Sequence, residues 1–148
     1  EVMNKLLLTL ALLFFSAINA QTDNYYKNLS LANESHKISD YDKAIVYSMR
    51  CLSEKPNDFA ALYLLHNSYH FLDKFDISNE YGNEILKLPS NKKDKNMLSI
   101  VLYYQGLNYY FLDQKEIACN FFHTSVLTMG EQIAFTPTQV KFIQDNCR

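Results

Sequence analysis

Three glycines and three prolines in 148 residues are few for a fold of many short strands and tight turns, so an all-α domain is expected. Charge of one sign is also lacking: 14 lysines and arginines stand against 16 aspartates and glutamates, a formal net charge of -2. A chain so balanced carries no basic stripe for phosphate backbones, and nucleic acid is not expected as a partner. There is no glycine-rich phosphate loop and no Cys-x-x-Cys pair, and the carboxylates are scattered along polar positions. The sequence therefore offers no catalytic residues and implies no cofactor or enzymatic activity. A membrane-spanning run is missing as well, because the longest apolar stretch covers only about ten to thirteen residues and a span needs about twenty.

That stretch lies at the N-terminus, where Met3, Asn4 and Lys5 precede the apolar run from Leu6 to Phe15, followed by Ala17-Ile18-Asn19-Ala20. A positive start, a short apolar middle and small residues at Ala17 and Ala20 are the pattern of a secretory signal peptide over residues 1–20, cleaved after Ala20. Glu1 and Val2 stand ahead of the expected start at Met3. Gln21, not cysteine, follows the cleavage position, which disfavours a lipid anchor. Export to the periplasm or beyond the cell is expected, with residues 21–148 as one soluble domain and no stable membrane insertion. With 48% hydrophobic residues, the chain has enough apolar side chains for one packed core.

The chain repeats itself. Tyr-His-Phe-Leu-Asp at Tyr69 to Asp73 returns as Tyr-Tyr-Phe-Leu-Asp at Tyr109 to Asp113. A shift of 34 residues pairs Tyr41-Asp42 with Phe75-Asp76, Ala44 with Ser78, Tyr47 with Tyr81 and Cys51 with Ile85; a shift of 40 pairs Ser78 with Ala118 and Tyr81 with Phe121. The extra six residues fall in the polar stretch Asn91 to Asn96, where a connection lengthens without disturbing packed faces. Apolar residues recur at helical spacing, as in Leu62, Leu65, Tyr69 and Leu72, then Ile77, Tyr81, Ile85 and Leu88. Helices are predicted at 24–38, 41–54, 58–72, 75–87, 95–112, 115–129 and 137–146. Asp40 and Asp73 are expected to cap the second helix of a hairpin, Asn57 or Asp58 the helix after the turn, and Thr136 the last helix, with Pro56 and Pro89 as stops. Lys92-Lys93-Asp94-Lys95 reads as a solvated helix start.

This pattern resembles the tetratricopeptide repeat. The best unit runs Asp40-Tyr41-Asp42-Lys43-Ala44-Ile45-Val46-Tyr47, then Cys51-Leu52 and Lys55-Pro56-Asn57-Asp58. Ala44, Ser78 and Ala118 match the family's small residue in the second helix, Ala32 and Gly106 the small site in the first, and Tyr69 and Tyr109 its large aromatic. Departures are His66 at the small first-helix site, Ser35 where an aromatic is usual, and Gly130 in place of a closing proline. The resemblance implies an α-solenoid of three hairpins, at about 25–58, 59–92 and 99–132. The end helix at 137–146 is expected to cover the last unit with Val140, Phe142 and Ile143, which would close the array by Arg148.

In an oxidising compartment, neighbouring cysteines are expected to pair. Cys119 lies about ten residues before the turn between the last two helices and Cys147 about ten after it, so a disulfide joining them is expected. Cys51 falls on the buried side of its helix as a reduced core thiol. His66 and His70 are four apart, a spacing that can hold a metal. The simpler reading puts His66 in the hairpin interface and His70 at the groove edge, with His36 and His123 on the surface.

In the repeat register, Leu29, Asn33 and His36 align with Tyr63, Asn67 and His70, and with Tyr103, Leu107 and Tyr110; Phe71 and Phe111 lie alongside. Asn33, Tyr63, Asn67, His70, Phe71, Tyr103, Leu107, Tyr110 and Phe111 are the candidate partner-binding residues on the concave face, since tyrosine joins a large apolar body to a polar tip. The opposing reading is that several of these rings pack between repeats. The family's clamp for C-terminal carboxylates is matched only at Asn33, with Leu29, Leu64, Ile100 and Tyr104 in its other places, so an extended or helical apolar segment is the expected ligand. The expectation is a non-catalytic protein-binding module, an adaptor or assembly factor. Alternatives are a self-associating structural envelope protein, hence a homo-oligomer, and a metal-binding protein using His66 and His70.

Overall fold

A computed structural model describes residues 24–89, 94–129 and 135–147. The expected signal segment 1–20, residues 91–93 of the inserted stretch and Gly130 lie outside these residues. The described residues form helices only: α1 (24–37), α2 (Tyr41–Glu54), α3 (Phe59–Phe71), α4 (Phe75–Lys87), α5 (Lys95–Phe111), α6 (Lys115–Met129) and α7 (Pro137–Asn146). Each predicted helix is present, with ends displaced by at most one residue.

α1/α2, α3/α4 and α5/α6 form three hairpins closed by one repeated turn. Ser39, Asp73 and Asp113 take positive φ of 62°, 56° and 58°. At each, two backbone N–H groups return to the preceding helix, as in Ser39 N–H to His36 O (3.0 Å) and Asp40 N–H to Ser35 O (2.9 Å). The same pair recurs from Asp73 to His70 and Lys74 to Tyr69, and from Asp113 to Tyr110 and Gln114 to Tyr109. A left-handed residue satisfies the last carbonyls of one helix and reverses the chain into the next.

This turn corrects one expected cap. Asp40 accepts from Lys43 N–H as predicted, but Asp73 is the left-handed residue of its turn, and Lys74 stands at the start of α4 without a side-chain cap. A positive-φ position favours short polar side chains that tolerate it, so Asp73 serves the turn one residue too early to cap. Three further helix starts are capped: Asp58 accepts from Ala61 N–H, Asp94 from Met97 N–H, and Thr136 forms a reciprocal capping box with Gln139.

The hairpins close on small residues. Ala32, Ala44, Ser78 and Ala118 have no exposed surface. At Gly106 a Cβ would lie 2.5 Å from the ring of fully buried Phe122, so only glycine admits α6 at this separation. Outside this seam, rings lock the second and third hairpins: Tyr69 stacks on Tyr81 (5.5 Å between centroids, 4° between planes) and Tyr109 on Phe121 (5.2 Å, 14°). A second set joins hairpin to hairpin, with Tyr41 on Phe71 (5.2 Å, 13°) and Phe75 on Phe111 (5.1 Å, 20°).

α7 covers the end of the stack. Buried Ile143 and half-buried Phe142 join Tyr103, Ala118 and Phe122 in one cluster, and Cys119 is bridged to Cys147 with their Cα atoms 5.4 Å apart.

Candidate functional site

The structure divides the expected binding row in two. Tyr103 is only 7% exposed, its ring 5.6 Å from Phe122 and 5.2 Å from Phe135. Tyr110 is half-buried, edge-on to Phe142 at 5.1 Å, and its hydroxyl donates to Asn146 Oδ1 at 3.2 Å. Both were expected on an open wall; α7 lies over them instead, because its apolar face needs rings to bury against. Asn67 and His70 are also inside, 3% and 8% exposed. Of the nine, Phe71, Phe111 and Asn33 are exposed, and Tyr63 and Leu107, like Tyr110, are half-buried.

The accessible rings are not isolated. Phe71 stacks on Tyr41 and touches His36 (5.9 Å), His70 (5.2 Å) and Tyr104 (5.6 Å), and the Phe75–Phe111 pair continues the series on the next hairpin. Sequence reasoning missed Tyr41, Phe75 and Tyr104. A signal existed: Tyr41 and Phe71 are thirty residues apart and Phe75 and Phe111 thirty-six, differing by the same six residues as the insertion. His36 is another correction. Expected on the surface, its ring is half-buried against Tyr41 (5.4 Å) and Phe71, and burial lowers its pKa.

Beneath this surface lies a buried polar chain joining α3, α4 and α5. His66 Nδ1–H donates to Ser78 O (2.8 Å), and the Ser78 hydroxyl donates to His66 O (2.8 Å). Asn108 Nδ2 donates to Ser78 Oγ (2.8 Å) and Asn79 Oδ1 (2.9 Å), while its Oδ1 accepts from His70 Nδ1–H. A large polar ring fits the small-residue site of α3 because Ser78 supplies both a carbonyl and a hydroxyl. Burial pushes the His66 pKa down to about 4 and lowers that of His70. The two rings thus spend their Nδ1 atoms on neighbours, and the described residues contain no group of three or more His, Cys, Asp or Glu arranged for a metal. Free Cys51 is fully buried between Tyr25 and Ala61, its thiol pushed up to about 11 by burial. His123 is exposed.

Three antiparallel hairpins in register, closed on small residues and sealed by an end helix, define an α-solenoid with the tetratricopeptide-repeat fold. Solved structures of that kind superpose on most of the chain. The N-terminal domain of stress-induced protein-1 from C. elegans matches with a TM-score of 0.71 and 18% identity, covering 87% of this chain and 98% of that domain. A TPR-like protein from Chlorobium tepidum matches with a TM-score of 0.67 and 17% identity, covering 86% and 92%. The sequence itself matches no protein-family description and no curated protein. Among the described residues no helix is long and apolar enough to cross a membrane.

Proposed function

We propose that this chain is a non-catalytic protein-binding module, an adaptor or assembly factor that takes an apolar polypeptide segment along the inner wall of its hairpins. The observation that carries this reading is the repeated stack of Tyr41 on Phe71 and Phe75 on Phe111, which leaves Phe71 41% and Phe111 58% exposed. Rings held by stacking lose little freedom on binding, so their apolar area converts into affinity at low entropic cost. Asn33, Tyr63 and Leu107 complete the accessible part of the row. The fold shared with repeat proteins supports the reading. We also propose export, supported by the residue pattern at 1–20 and the bridged Cys119 and Cys147.

The test is photocrosslinking from a photoreactive residue at Phe111 in the source cells, with one at exposed Lys87 as control. A discrete polypeptide trapped from Phe111 and not from Lys87, and lost on Phe71→Ala, supports the proposal. Products identical from both positions would refute it, and trapping only of a second copy would transfer the surface to self-association.

A further inference from the structure

The first hairpin lacks the ring that locks the other two. In the second, Tyr69 stacks on Tyr81; in the third, Tyr109 stacks on Phe121. The corresponding residue of the first hairpin is Ser35, and the partner ring that it leaves uncovered is half-buried Tyr47. Around that place the structure has an open groove of about 570 Å³, whose walls include Leu31, Ser35, Ile38, Lys43 and Tyr47. By the 34-residue shift these align with Leu65, Tyr69, Leu72, Ile77 and Tyr81 one unit later, where Tyr69 and Tyr81 form the stacked pair. Ile38 is 76% exposed at its edge. Lys43, where later units have isoleucine, is drawn to Asp40 by a 2.7 Å ion pair, and Arg50 lies over the Tyr47 ring at 5.3 Å without being a wall of the groove.

We propose that this groove is a docking site for a single phenylalanine or tyrosine side chain presented by a separate partner polypeptide. The incoming ring stacks on Tyr47 as Tyr69 stacks on Tyr81, and its edge rests on Leu31 and Ile38. The occupant is identified by the chain itself, since the same groove is filled twice over by an aromatic ring of its own. None of the groove residues belongs to the concave row, so the site adds a second anchor and does not depend on the first. A partner held at both places would gain from effective concentration.

The experiment is an NMR titration of the 15N-labelled protein with N-acetyl-tyrosinamide, using N-acetyl-leucinamide as the aliphatic control. Saturable shifts at Lys37, Ile38, Lys43 and Tyr47 are expected with the aromatic probe and at least about fivefold weaker response with the aliphatic one. Ser35→Tyr supplies the missing ring internally; it is expected to abolish those shifts and raise the thermal midpoint by about 4 °C. Should Ser35→Tyr fold poorly, Tyr47→Leu, which keeps an apolar wall without the ring, is expected to weaken the response by at least about fivefold. Equal responses to both probes, or shifts that persist in both variants, overturn the proposal. So does a concentration-dependent dimer abolished by Ser35→Tyr, because a second copy would then be the occupant. Loss of crosslinking at Phe111 leaves this titration unaffected, so the two surfaces fail separately.

Discussion

His66 and Ser78 exchange two hydrogen bonds across the second hairpin, ring N–H to carbonyl and hydroxyl to carbonyl, both at 2.8 Å. The His66 ring is fully buried, and that burial favours the neutral imidazole and holds its pKa at about 4 against an ordinary 6.5. A histidine whose folded pKa is depressed leaves stability unchanged above the unfolded value and removes it below, as the unfolded chain takes up the proton first. Between pH 7 and pH 5 the protein is therefore expected to lose about 2 kcal/mol through His66, with His70 acting in the same direction. Urea midpoints measured at the two pH values check this. His66→Asn should flatten the difference, and a wild-type midpoint unchanged between the two pH values would contradict the account.

Gly106 and Phe122 give a steric prediction. Alanine at an interior helix position ordinarily gains about 1 kcal/mol over glycine. Here its Cβ would meet the Phe122 ring at 2.5 Å with no free space to yield, and overpacking of about 1–3 kcal/mol should outweigh the gain. Gly106→Ala is expected to lower the denaturation midpoint, and Gly106→Ala with Phe122→Leu to recover part of it. Additive losses in that double-mutant cycle would show that the contact is not the cause.

Asp40 and Asp73, in the first and second hairpin turns, should respond in opposite ways. Asp40 caps α2, so Asp40→Ala is expected to cost about 1 kcal/mol. Asp73 holds a left-handed backbone and caps nothing, so Asp73→Gly should be neutral or slightly stabilising. Thermal melts of the two variants separate these roles; a comparable loss in both would restore Asp73 as a cap.

The bridge between Cys119 and Cys147 closes a loop spanning 28 positions, for which the chain-entropy account gives about 3.6 kcal/mol. Reduction, or Cys119→Ser with Cys147→Ser, should lower the melting temperature. Hydrogen exchange should quicken in α7 before the other helices, since α7 docks through few side chains beyond Phe142 and Ile143. Uniform loss of protection along the chain would argue against a local tether.

Much of this arrangement was legible before any coordinates. Helix limits, hairpin phase, the small residues of the seam and the Cys119–Cys147 pair follow from patterns within a few residues, repeated at fixed offsets. The partner-binding row was legible only as a register. Tyr103 and Tyr110 occupy the same positions as Tyr63 and His70, and nothing in their spacing says which would be covered. His36 and Asp73 misled for related reasons: a ring becomes half-buried because Tyr41 and Phe71 come to it, and an aspartate is taken from capping by the backbone angle of its turn.

By itself the sequence determined that the chain is helical, three times repeated and closed on small side chains, because helical period and local steric limits act between near neighbours. Only the tertiary structure decided which aromatic rings remain open to solvent. Exposure depends on what stacks on a hairpin next: α7 covers Tyr103 and Tyr110, while Phe71 and Phe111 stay partly open beside Tyr41 and Phe75.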